Sequence, residues 1–116
     1  MREAVVVGER KFAVRRAPKP TLNPDEVLIR VQYCGICGSD LPTYILGFPG
    51  RYGHEYSGDI VAVGSEVQGW KSGDRVTAES VGPCGECYWC TRGEMGLCET
   101  FLERWGAASG GFATYT

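Results

Sequence analysis

The sequence predicts an all-β fold, and three observations carry that prediction. Apolar residues recur with a two-residue period in short runs, Gly and Pro residues cut those runs repeatedly, and no stretch of a dozen residues carries a helical apolar stripe. Short strands joined by such turns build barrels or sandwiches. In residues 26–34, Val27, Ile29, Val31 and Tyr33 alternate with Leu28, Arg30, Gln32 and Cys34, a half-buried strand rich in β-branched side chains. One helical turn is expected near residues 39–44. Residues 60–63 read as a second strand, ended by Gly64 and Ser65. Ser72, Gly73 and Asp74 turn the chain again before a third strand at 75–78. Gly110 and Gly111 precede a fourth at 112–115.

Composition bounds the function. The chain has 116 residues, of which 43% are hydrophobic, enough for one compact domain with a core. Its 12 Lys and Arg against 14 Asp and Glu leave a net charge of −2. The basic residues are scattered, so no face suits a phosphate backbone and no nucleic-acid partner is expected. The longest apolar runs, 4–7 and 60–63, are far too short to cross a bilayer, and no membrane partner is expected. The N-terminus, MREAVVVGERK, places two charges among its first three residues and lacks the apolar stretch of a signal peptide. A reducing cytoplasm follows as the expected location. Disulfides are rare there, and clustered cysteines more often bind metal.

Cys84, Cys87, Cys90 and Cys98 follow C-x2-C-x2-C-x7-C in PCGECYWCTRGEMGLC. Thiolates at this spacing can converge on one ion, and four sulfurs close a tetrahedral site with no position for substrate. Gly85, Gly93 and Gly96 let the backbone bend around it. Two disulfides among these four cysteines fit the close spacing and the missing leader less well. The bacterial iron–sulfur pattern continues x3-C-P after its third cysteine, whereas seven residues intervene here and Glu99 follows Cys98. Structural zinc is the expected occupant of a lobe at about residues 82–100.

A second constellation lies upstream, in YCGICGSD (33–40) and YGHEYSG (52–58). A lone histidine is usually a hydrogen-bonded structural residue, but His54 is accompanied. Cys37, His54 and Glu55 offer soft, borderline and hard donors for a second zinc. Three protein ligands and a vacant position make an open, catalytic site. Ser39 and Asp40 follow Cys37 closely, where a hydroxyl reaches substrate oxygen and a carboxylate orients the histidine ring.

CGICGSD, GHEYSGDIVAVGSEV, WKSGDRV, PCGECYWCTRGEMGLC and GGFATY occur in that order. With these segments the chain resembles the N-terminal catalytic domain of zinc-dependent medium-chain alcohol dehydrogenases, whose fold is GroES-like. The resemblance runs from about residue 26 to the end. It implies a partly open β-barrel bearing a small structural-zinc lobe. It also implies Cys37 and His54 as catalytic zinc ligands, with Glu55 a direct ligand or a carboxylate that swings onto the metal. Ser39 would take the proton of the alcohol and Asp40 would hydrogen-bond His54. Cys34 precedes Cys37 in a C-x2-C pair but reads as a small buried strand residue. The implied reaction is hydride transfer between NAD or NADP and a small alcohol or polyol, or its aldehyde or ketone, with zinc as Lewis acid. A homo-oligomer, dimer or tetramer, is implied for the full-length protein.

Two positions depart from the pattern. Pro42 stands where some members relay the proton with histidine, leaving the Thr43 and Tyr44 hydroxyls as the nearby substitutes. Gly38 stands where some members touch the cofactor's phosphates with arginine. No cysteine or histidine follows Cys98, and Gly106 to Gly111 lack the G-x-G-x-x-G spacing of a nucleotide-binding loop. Residues 1–116 are therefore expected to be a GroES-like fragment without its Rossmann domain, inactive alone. The competing readings are a stand-alone zinc-binding module without catalytic activity and an iron–sulfur electron carrier.

Overall fold

The computed structural model of the chain describes residues 1–79, 82–101 and 110–116. Most of the Gly106 to Gly111 stretch lies outside them. Six strands, one short helix and two 3-10 turns make up the regular structure of the described residues.

Strands β1 (Arg2–Gly8) and β2 (Lys11–Arg16) form an antiparallel hairpin, and the two-residue strand β4 (Gly50–Arg51) pairs with the middle of β1. The first sheet thus has the order β2-β1-β4. This hairpin is not among the predicted strands, because the charges of ERK and VRR hide its alternation. Its tight turn places Arg10 at φ +52°, a conformation uncommon outside glycine. Two hydrogen bonds hold it there: the Arg10 amide donates to the Tyr44 carbonyl, and the Tyr44 hydroxyl donates to the Arg10 carbonyl, both at 2.8 Å.

The second sheet has the order β3-β5-β6, from β3 (Val27–Gly35), β5 (Glu55–Val63) and β6 (Arg75–Thr77), all antiparallel. These match the predicted strands, with β5 beginning five residues early. Ile29, Tyr56 and Ile60 form the buried centre, with Val27, Val31, Cys34, Val63, Val76 and Ala78 packed around it. Ile60 is 1% exposed, so its side chain contributes close to a full burial, about 1.5–3 kcal/mol.

The predicted strand at 112–115 has another form. It makes isolated bridges to both sheets, pairing Ala113 with Glu3 and Tyr115 with Arg30. The Ala4 amide donates to the Phe112 carbonyl at 2.7 Å, and the Val31 amide donates to the Thr114 carbonyl at 3.1 Å. Residues 112–116 therefore stitch β1 to β3. The resulting ladder is open, since β2 and β6 do not pair among the described residues.

Helix α1 (Asp40–Leu46) occupies and slightly extends the predicted helical turn. It ends at Gly47 in the left-handed conformation, φ +72°, where a Cβ would collide with the backbone of Gly8 and Glu9. Only glycine lets the helix end lie so close to the β1–β2 turn.

Candidate metal centres

The lobe gathers its four cysteines as the spacing predicts. The sulfurs of Cys84, Cys87, Cys90 and Cys98 lie within 4.8 Å of one another, and none of the chain's cysteines is in a disulfide. Backbone amides point at the sulfurs. Cys84 N–H donates to Cys98 Sγ at 3.4 Å, and Cys87 N–H donates to Cys84 Sγ at 3.3 Å. Gly85 and Gly93, both at φ +82°, supply the reversals that aim them. Tyr88, Met95 and Leu97 are more than half exposed, so the lobe has little core to fold it.

The thiols are split in their affinity for protons. The Thr100 hydroxyl, aided by the Cys84 amide, pulls Cys98 down to about 6. Cys90 accepts a bond from the Gly85 amide, which lowers it, yet burial and the neighbouring sulfurs push it up to about 12. Four sulfurs at this separation cannot all ionise without a cation among them. The all-thiol donor set fits a closed zinc site.

The second cluster is built by strand pairing. Cys37 lies just beyond the end of β3, while His54 and Glu55 lie at the start of β5. Because Gly35 is the register partner of Glu55, the two strand ends arrive side by side. Cys37 Sγ, a ring nitrogen of His54 and a carboxylate oxygen of Glu55 all lie within 4.8 Å of one another. A Cβ on Gly35 would stand 2.8 Å from Glu55 Oε2, so the bare backbone there leaves room for the carboxylate.

Asp40 links the two arms of the cluster. It is 6% exposed, the first residue of α1, and its Oδ2 accepts a hydrogen bond from the Cys37 amide at 2.9 Å. Its Oδ1 lies 3.6 Å from His54 Nδ1. At that distance the carboxylate faces Nδ1 as a neighbouring charge, short of the hydrogen bond that the resemblance implies. Ser39 Oγ stands 3.4 Å from Nε2, on the exposed side. Every residue predicted for this cluster is thus in one place. The donor set of one thiolate, one imidazole and one carboxylate fits an open zinc site.

Other expectations are met or corrected. Cys34 packs into the core beside Gly53 and Gly111, and burial raises its thiol despite a bond from the Glu55 amide. It belongs to neither sulfur cluster. The Thr43 hydroxyl donates to the Asp40 carbonyl at 2.7 Å and that of Tyr44 to Arg10, so neither proton is available for a relay from Ser39. Sequence reasoning missed the role of Gly35, which only the register with Glu55 reveals.

Known proteins resemble the chain over most of its length. The family model for the alcohol dehydrogenase GroES-like domain matches residues 23–116. A sorbitol dehydrogenase from Halalkalibacterium halodurans is 42% identical over 113 residues, covering 93% of this chain and 33% of that protein. The uncharacterized zinc-type alcohol dehydrogenase-like protein YdjJ of Escherichia coli is 42% identical over 102 residues, covering 80% of this chain and 29% of that protein. The crystal structure of galactitol-1-phosphate dehydrogenase from Escherichia coli superimposes with a TM-score of 0.89 at 34% identity, covering 100% of this chain and 35% of that one. The chain spans about a third of the length of these relatives. It belongs to the alcohol dehydrogenase GroES-like domain family.

Proposed function

We propose that this chain is the catalytic portion of a zinc-dependent alcohol or polyol dehydrogenase that transfers hydride between an alcohol carbon and NAD or NADP. The observation that carries the reading is the convergence of Cys37, His54 and Glu55 with Asp40 behind them. A structural module has no use for three unlike donors beside an exposed hydroxyl. The sorbitol and galactitol-1-phosphate dehydrogenases among its relatives favour a polyol or a related sugar alcohol.

Cys37, His54 and Glu55 would hold zinc, and Cys84, Cys87, Cys90 and Cys98 would hold a second ion of structural role. Zinc bound at the first cluster supplies Lewis acidity to a substrate oxygen. The chain's own residues do the rest. Asp40 holds the loop amide of Cys37 with one carboxylate oxygen and sets the other beside the imidazole, a negative charge next to two of the donors. Ser39 accepts the proton of the substrate hydroxyl as the hydride leaves, and its exposure lets that proton pass directly to water. This route needs neither Thr43 nor Tyr44.

The nucleotide has no binding fingerprint in this sequence, and we assign it to a Rossmann domain separate from residues 1–116, with the lobe at about 82–100 as an appendage of the catalytic domain. The full-length protein is assigned to the cytoplasm as a dimer or tetramer. The described residues contain no helix long and apolar enough to cross a membrane.

Metal analysis tests the reading. The zinc-loaded chain should hold two ions, one removed readily by a mild chelator and lost altogether in His54→Ala. A single tight ion, unaffected by that substitution, would overturn the assignment. Alone, the 116-residue chain should not reduce NAD or NADP with sorbitol, which absorbance at 340 nm would show.

A further inference from the structure

Three polar or charged residues are buried among the described residues, and the candidate centre uses only Asp40 and His54. The third is Glu3, 5% exposed on β1. Its Oε1 accepts from Arg15 Nε at 2.8 Å, and its Oε2 accepts from Arg51 Nε at 2.9 Å. The two arginines differ in what they reach. Arg15 is the direct cross-strand partner of Glu3 on the hairpin and is mostly exposed. Arg51 belongs to β4, and the chain runs from it through Tyr52 and Gly53 straight into His54.

β4 has only two residues, so its own ladder holds it weakly. The chain beyond it is held by the amides of residues 110–112. Gly110 and Gly111 donate to the Gly53 carbonyl at 3.1 and 2.8 Å, and the Phe112 amide donates to the Tyr52 carbonyl at 3.1 Å. The Glu3–Arg51 pair is a second grip, on the strand itself. A Cβ on Gly110 would lie 3.2 Å from Arg51 Nη2, so the guanidinium threads past a bare backbone to reach its partner. A buried carboxylate is a costly way to hold a strand, since an apolar pair of the same volume is often as stable. What the pair adds is direction: Arg51 donates through a fixed planar group.

We propose that Glu3 is a positioning residue for the candidate metal centre, acting through Arg51 to set where β4 lies on β1 and hence where the His54 imidazole stands. The proposal rests on the reading of Cys37, His54 and Glu55 as a metal centre. It separates the two arginines: Arg51 transmits the constraint and Arg15 does not.

The test uses the full chain with zinc in the four-cysteine lobe and Co2+ as probe at the other cluster. Chelator titration reads cobalt affinity, and the visible d–d bands read its geometry. Glu3→Gln and Arg51→Gln should each weaken cobalt retention about ten-fold, the low end for lost outer contacts, and shift the bands. The double variant should be no worse than either single one. Arg15→Gln should leave affinity and bands as they are. Unchanged affinity and bands in both Glu3→Gln and Arg51→Gln would overturn the proposal, and so would an equal loss in Arg15→Gln, which would mark general weakening of the hairpin. Should Glu3→Gln fail to fold, Arg51→Lys carries the test. It keeps the charge but loses the fork, and cobalt binding like that of the unsubstituted chain would refute the proposal. An unsubstituted chain that takes up no cobalt refutes the metal-centre reading itself, before any substitution is made.

Discussion

The two sulfur-containing clusters solve the problem of gathering ligands in opposite ways. The lobe draws all its donors from residues 84–98, folded by glycine turns and backbone amides, with its large side chains largely outside. The other cluster draws Cys37 from the end of one strand and His54 and Glu55 from the start of another, and a buried aspartate stands behind them. The first has four like donors and closes on its ion. The second has three unlike donors and leaves a face open. Local ligands need the metal to make the structure, whereas distant ligands need the structure to make the site. The first cluster should therefore fail alone, and the second should fail with the fold.

The largest expected effect is in the lobe. A structural zinc of this kind contributes about 10–16 kcal/mol of binding free energy, which is also folding free energy. Cys90→Ser should cost one zinc per chain and open residues 84–98 to protease, while the ion at Cys37, His54 and Glu55 stays. Loss of both ions together would erase the distinction. Next comes the core. Ile60→Ala should cost about 2–5 kcal/mol, seen as a lowered Tm, and should release the ion of the open centre before that of the lobe. The reverse order of release on heating would mean that the lobe depends on the sheets.

Smaller effects sharpen the contrast. Asp40→Asn should weaken metal binding at the open centre about 10–100-fold and leave the lobe's affinity alone, as competition with a chromophoric chelator would read. Proton counts should differ too. Cys98 is held at about 6, below its usual 9.0, so its thiolate stabilises the metal-free lobe above pH 9 and that contribution fades as pH falls through 6. Cys90, pushed up to about 12, contributes as the thiol below pH 9 and loses that contribution as pH rises through 12. The metal-free lobe should be most ordered near pH 9. Zinc uptake at pH 7 should release fewer protons than one per sulfur, measurable with an indicator dye. Last, Lys71→Ala removes an exposed pair with Asp74 and should change stability by under about 0.5 kcal/mol and neither metal affinity.

How much of this was readable in the residues follows the same division. The lobe was legible because its ligands lie close together and their spacing is itself the geometry. The strands at β3, β5 and β6 were legible from alternation and turns. The hairpin of β1 and β2 was not, because β2 is exposed along nearly its whole length and carries Arg15 and Arg16, so it reads as a charged segment. Nothing in the sequence marks Glu3 as buried. Its burial depends on Arg15 and Arg51, which only the folded sheet brings to it. The donors of the open centre could be named from their motifs, but their convergence depends on the register that pairs Gly35 with Glu55. A slip of one residue would send Glu55 to the other face.

The seam formed by residues 112–116 has a consequence for how the molecule is made. Each sheet can begin to assemble from earlier parts of the chain, but among the described residues no strand of one pairs with a strand of the other. Their union waits for the Phe112, Thr114 and Thr116 groups that bond to β1 and β3. The ladder that joins them is therefore completed only after more than a hundred residues have been synthesised, and contacts of such long range form slowly. Until then the groups of β1 and β3 that bond residues 112–116 lack those partners, and they are open to pairing with a neighbouring chain.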